Sequence, residues 1–84
     1  MNHAQACKAA HLIYVRWFGS SFEPQRTDSG VSSPHLAWMC LEIPNLSENK
    51  SMRWLGYIQG VLVAQGRATL EQMKDISREA ISDD

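Results

Sequence analysis

The amino-acid sequence predicts an all-α fold: a single helical domain over residues 1–84, compact and four-helical, with a central apolar third helix and a long loop between helices 1 and 2. Three observations carry this reading. Apolar residues recur every three or four positions in separate segments, which is the inward stripe of a helix. Capping residues stand before several of these segments, and glycine or proline stands after them. No segment alternates apolar with polar residues as a half-buried strand does.

The first helix runs from Asn2 to about Phe18, with Ala6, Ala10, Ile13 and Trp17 inward and Gln5, Lys8 and Arg16 outward. Gly19 and Ser20 stop it. The stretch "GSSFEPQRTDSGVSSP" then gathers glycine, serine and proline without a period, the mark of a long loop that is either mobile or functional in so small a domain. Ser33 and Pro34 form an N-cap and first-turn pair for a short second helix, whose inner stripe is Leu36, Met39, Cys40 and Ile43 and whose end is Pro44. Ser47 caps the third helix, which runs to Gly66. Thr69 and Gln72 match a capping box for the last helix, with Leu70, Met73, Ile76, Ala80 and Ile81 on one face and Glu71, Lys74, Asp75 and Arg78 on the other.

The third helix carries glycines where a helix tolerates them poorly, at about 1 kcal/mol each relative to alanine. Gly56, Gly60 and Ala64 fall at i, i+4 and i+8, so they form one row of small side chains, while Trp54, Leu55, Ile58, Val61 and Leu62 occupy much of the remaining surface. This pattern predicts structural close packing of a neighbouring helix against Gly56, Gly60 and Ala64, within the domain or across a dimer seam. Arg53 lies on the same side, so it is expected to find a carboxylate, from Glu42 or from the last helix.

Lysine and arginine number 8 against 9 acidic residues, and a net charge of -1 exerts no general pull toward nucleic acid or an anionic membrane. The longest apolar run lies within residues 54–64, well short of the ~20 residues that cross a bilayer. Cys7 and Cys40 form no CxxC pair and read as reduced thiols, which points to the cytoplasm. The apolar run "AAHLIYV" is cut off by Arg16 and reads as part of the first helix rather than a signal peptide.

No constellation in the chain predicts catalysis or a cofactor. His3, Cys7 and His11 share one side of the first helix, the spacing at which a helix offers metal ligands, but three collinear ligands span more than two turns and the set reads as flanking the core stripe. Cys40 and His35 are five residues apart and point to different sides of their helix. Glu71, Asp75 and Glu79 repeat along the polar face of the last helix and read as solvated. A helix-turn-helix centred on Gly66 fails on charge, since from Arg67 onward five acidic residues outnumber three basic ones. The chain is therefore expected to be neither an enzyme nor a metal protein, and nucleic acid and membrane are not expected partners.

A protein partner is expected, and Trp38 is its expected anchor. The 100° helical step places Trp38 nearly opposite Leu36, beside His35 and Glu42 on the outer side of the second helix, and Tyr57 can widen the same patch. Coverage of Trp38 by Phe22 and Val31 of the preceding loop is the alternative.

At "HLAWMC" followed by "NKSMRWLGYIQGVLVAQGRATLEQMKDISREA" the chain resembles small, mostly uncharacterised helical proteins encoded in tailed-phage and prophage genomes; Trp38, "MRWLGYIQG" and the capped last helix carry the likeness. The resemblance covers roughly the C-terminal two-thirds and supplies no functional residues. It implies an accessory protein in a bacterial cytoplasm that acts stoichiometrically, by binding a host or phage protein such as a defence component. Self-assembly, with a homodimer as its simplest form, and a DNA-binding regulator are the other functions weighed.

Overall fold

The computed structural model describes residues 1–19 and 23–82, and among them there are helices and no strand. Helix α1 spans His3–Ile13, α2 Ser33–Glu42, α3 Glu48–Ala64 and α4 Leu70–Ile81. The described residues 23–32 before α2 form neither helix nor strand. Ser20, Ser21 and Phe22 lie outside the described residues.

Local chemistry sets the helix ends. The Asn2 side chain accepts from the Gln5 N–H at 2.9 Å while the Asn2 N–H donates to Gln5 Oε1 at 2.8 Å, so two otherwise orphaned donors at the start of α1 are satisfied reciprocally. Thr69 and Gln72 do the same for α4 at 3.0 and 2.8 Å. Ser47 caps α3 through the Lys50 N–H at 3.3 Å. The cap of α2 is Ser32 rather than Ser33: its hydroxyl accepts from the His35 N–H at 3.3 Å, which makes Ser33 the first helical residue. After α3 the chain turns through Gly66 at φ +72°, a left-handed conformation that lets the Arg67 N–H reach back to the Leu62 carbonyl at 2.9 Å.

The centre of the fold is α1, which packs against α2, α3 and α4 alike. Ala6, Ala9 and Ala10 have no exposed surface, so the small side chains that let helices approach closely belong to the first helix. This corrects the expectation of a central third helix. Helix α3 buries only Ser51, Leu55, Ile58 and Leu62 on one face. Gly56, Gly60 and Ala64 are exposed on another, and a Cβ placed at Gly56 or Gly60 meets nothing within 4 Å. No close packing inside the molecule occurs at these three residues, because the α3 stripe that meets α1 is the one built from branched aliphatic side chains.

Beyond Ile13 the helix widens into a π turn over Tyr14–Phe18. One extra residue per turn moves the inward position from i+4 to i+5. Phe18 therefore follows Ile13 into the core, and Trp17 sits half-buried with its indole N–H donating to the Arg67 carbonyl at 3.1 Å. Leu36, Met39, Cys40 and Ile43 are buried as the α2 stripe requires. In α4 Met73, Ile76 and Ala80 are buried, whereas Leu70, at 61% exposure, and Ile81 face outward.

Arg53 is exposed and forms no ion pair among the described residues, contrary to expectation. The arginine held by the structure is Arg67, whose guanidinium donates to Ser33 Oγ at 2.8 Å and lies 5.4 Å from the centre of the Phe18 ring. It ties the α3–α4 turn to both ends of the loop that precedes α2. None of the helices is long and apolar enough to cross a membrane among the described residues.

Candidate aromatic groove between the second and third helices

The outer side of α2 and the first half of α3 converge on a surface groove. Its floor is apolar, from Met39 and Leu46, and its most prominent walls are two indoles. Trp38 of α2 and Trp54 of α3 stand with ring centres 5.6 Å apart and planes tilted by 48°, a spacing and tilt favourable for aromatic pairs. His35, one helical turn before Trp38, is 5.4 Å from it. Glu42, a turn after Trp38, completes the α2 side. The groove encloses about 400 Å³ and continues past His35 and Trp54 into a second depression bounded by Arg53 and Tyr57.

The four residues expected on the partner-binding face are thus close together, but with different surroundings. His35, Trp38 and Glu42 line the groove itself. Tyr57 lines the neighbouring depression, and its hydroxyl donates to the Gly30 carbonyl at 2.7 Å, which pins the loop to α3. The loop is also held from α2, where the Thr27 N–H donates to His35 Nδ1 at 3.1 Å. That bond assigns Nδ1 the acceptor role and leaves Nε2 of the neutral ring to carry the proton. Val31 remains exposed, and among the described loop residues it is Arg26 that lies over Trp38; Phe22 lies outside the described residues.

Charge surrounds the indoles. The Arg26 guanidinium lies 5.8 Å from the Trp38 ring centre and the Lys50 ammonium 5.6 Å from that of Trp54, both within cation–π range. Arg26, Lys50 and Arg53 are all exposed, and none has an ion-pair partner among the described residues. Neither the Trp38 nor the Trp54 indole N–H has an acceptor among them, in contrast to Trp17.

Trp54, Arg26 and Lys50 were not singled out from the sequence. Lys50, Trp54 and Tyr57 follow one another at i, i+4 and i+7, which is a single helical face, and this spacing is the signal that points to them. Arg26 has no such signal, because its place depends on how the loop folds back.

Other candidate chemistry is dispersed. The Cys7 thiol lies 3.7 Å from His3 Nε2, which is itself 3.3 Å from the Ile43 carbonyl, while His11 is exposed. Among the described residues no three histidine, cysteine or acidic side chains gather as a metal site would. Burial pushes the Cys40 thiol up to about 12, so it is no nucleophile at neutral pH. Of the acidic face of α4, Glu71 and Asp75 pair with Arg78 at 3.1 and 2.6 Å, and Glu79 with Arg16 at 2.9 Å.

A second groove, of about 550 Å³, separates α3 from α4 and is more apolar, with Gly60, Val63, Ala64, Leu70 and Met73 along it. Comparison of the chain with protein-family models, with curated proteins and with solved structures finds no match.

Proposed function

We propose that this chain is a non-catalytic binding protein that takes a protein partner stoichiometrically at the Trp38–Trp54 groove. The observation that supports the reading is the pair of half-buried tryptophans in mutual contact at the surface, with their indole N–H groups unclaimed. Tryptophan is the residue most enriched among interface hot spots, where truncation costs about 2 kcal/mol or more. A domain of this size has few large side chains to stabilise its own core, and two tryptophans left half outside it are well placed for another surface. The resemblance to phage and prophage proteins supplies the context: an accessory protein in the bacterial cytoplasm whose target is a host or defence component.

Capture from bacterial lysate with the parent and with Trp38→Ala, followed by titration calorimetry on the captured protein, tests this. A one-to-one complex lost in a folded Trp38→Ala variant is the expected result. Equal capture by the two proteins overturns it.

The α3–α4 groove favours a second reading, self-assembly. Gly60 and Ala64 line it, in one exposed row with Gly56 one turn earlier on α3, which permits close approach of another helix, and Leu70 presents an apolar side chain in the same groove. Light scattering of the parent and of Leu70→Lys separates this reading from the first, since a dimer at this face dissociates in the variant.

A further inference from the structure

The charges around the groove narrow the chemistry of what enters it. Three cations, Arg26, Lys50 and Arg53, stand at its rim against the single carboxylate Glu42, although the chain as a whole carries a net charge of -1. Of the five cations elsewhere, Arg16 and Arg78 are held by carboxylates and Arg67 by Ser33, while Lys8 and Lys74 are exposed singly and without an ion pair among the described residues; only at the groove do three such cations gather around aromatic rings. Rim cations without partners raise the association rate of an acidic ligand and select against a basic one. The two indole N–H groups add donors for carbonyl or carboxylate oxygens, and they are donors only.

We propose that the groove receives an acidic peptide segment, with carboxylates on Arg26, Lys50 and Arg53 and one large apolar side chain against the Trp38–Trp54 pair; this rests on the groove being the binding site. A single-stranded nucleic acid is the competing ligand for cations interleaved with aromatic rings, because bases stack on open indole faces. The geometry disfavours it. One face of each indole is occupied by its own cation, the two rings are tilted rather than parallel, and Glu42 repels a phosphate at the groove itself.

Selection from a random-peptide display library on the intact chain tests the proposal, with Lys50→Glu/Arg53→Glu and Trp38→Ala as parallel baits and oligodeoxythymidine as competitor. Lys50 and Arg53 are exposed and unpaired, so the charge-reversed protein is expected to melt like the parent. The expected result is a pool on the parent enriched in Asp and Glu around a large apolar residue. Charge reversal should weaken those peptides by about tenfold or more, and rising salt should weaken them further. A neutral or basic pool, a pool indifferent to charge reversal, or displacement by the oligonucleotide overturns the acidic assignment. Loss of that pool on folded Trp38→Ala leaves the binding site standing in such a case. A pool that ignores both Trp38→Ala and charge reversal, or no enrichment at all, overturns the site together with its ligand.

Discussion

The Ser51 hydroxyl, without exposed surface, donates to the Ile43 carbonyl at 3.1 Å, joining α3 to the end of α2. The last carbonyls of a helix have no partner within it, and a buried one without any partner is costly. The Leu46 N–H donates to this oxygen at 3.1 Å, Ser51 adds a second donor, and His3 Nε2 of α1 lies 3.3 Å from the same oxygen. Three helices thus meet at one acceptor. Ser51→Ala removes a buried hydrogen bond and is expected to lower stability by about 1 kcal/mol in urea denaturation; an unchanged midpoint shows that the Leu46 N–H and His3 satisfy the carbonyl without it.

The glycines of α3 give a second test. Gly56→Ala and Gly60→Ala each place a methyl group in open space on an exposed helix interior, so each should raise stability by about 0.5 to 1 kcal/mol. Gly60→Leu should still melt cooperatively. Gly66→Ala forces a side chain into the left-handed region at φ +72° and should lose about 1 kcal/mol. The sign difference between Gly60 and Gly66 is readable in thermal melts, and a loss at Gly60 would restore the buried-ridge interpretation.

The arginine held by the structure is Arg67, not Arg53 as the sequence led one to expect. Arg67→Met removes the bond to Ser33 and the contact with the Phe18 ring, and should cost about 1 to 2 kcal/mol. Arg53→Met, at an exposed site, should change stability by no more than about 0.5 kcal/mol. Chemical denaturation of the two variants side by side decides the matter, and equal effects contradict it.

Cys40 makes stability depend on pH in the alkaline range. Its thiol is raised from an ordinary 9.0 to about 12 by desolvation, so the folded state keeps a proton that the unfolded state releases. Below pH 9 both states are protonated and Cys40 has no effect. Between 9 and 12 the unfolded state is favoured, and stability falls by about 1 kcal/mol per pH unit. Cys40→Ala should flatten this slope in urea melts taken across the window; an equally steep fall assigns it to other groups.

Helix ends and most inward stripes follow from neighbouring residues alone. Ser47, Thr69 with Gln72, and Gly66 act within one turn of themselves, and Leu36, Met39, Cys40 and Ile43 share a face whatever lies opposite. The same local geometry set His35, Trp38 and Glu42 on one side of α2. Half of the candidate groove was legible for that reason.

Which helix occupies the centre was a different kind of question. Ala6, Ala9 and Ala10 of α1 and Gly56, Gly60 and Ala64 of α3 are both rows of small side chains, and nothing local ranks one above the other. Burial of a row depends on which neighbours arrive against it, and α1 received the other three helices. The π turn acted similarly, since a helical wheel of constant period places Trp17 inward and one added residue places Phe18 there. The other half of the groove is tertiary as well: Trp54 and Lys50 reach Trp38 only because α3 packs beside α2, and Arg26 only because hydrogen bonds from Thr27 and Tyr57 fold the loop back. Periodicity determines what lies on one face of one helix, whereas contact between faces is decided by the competition of all faces for the same small core.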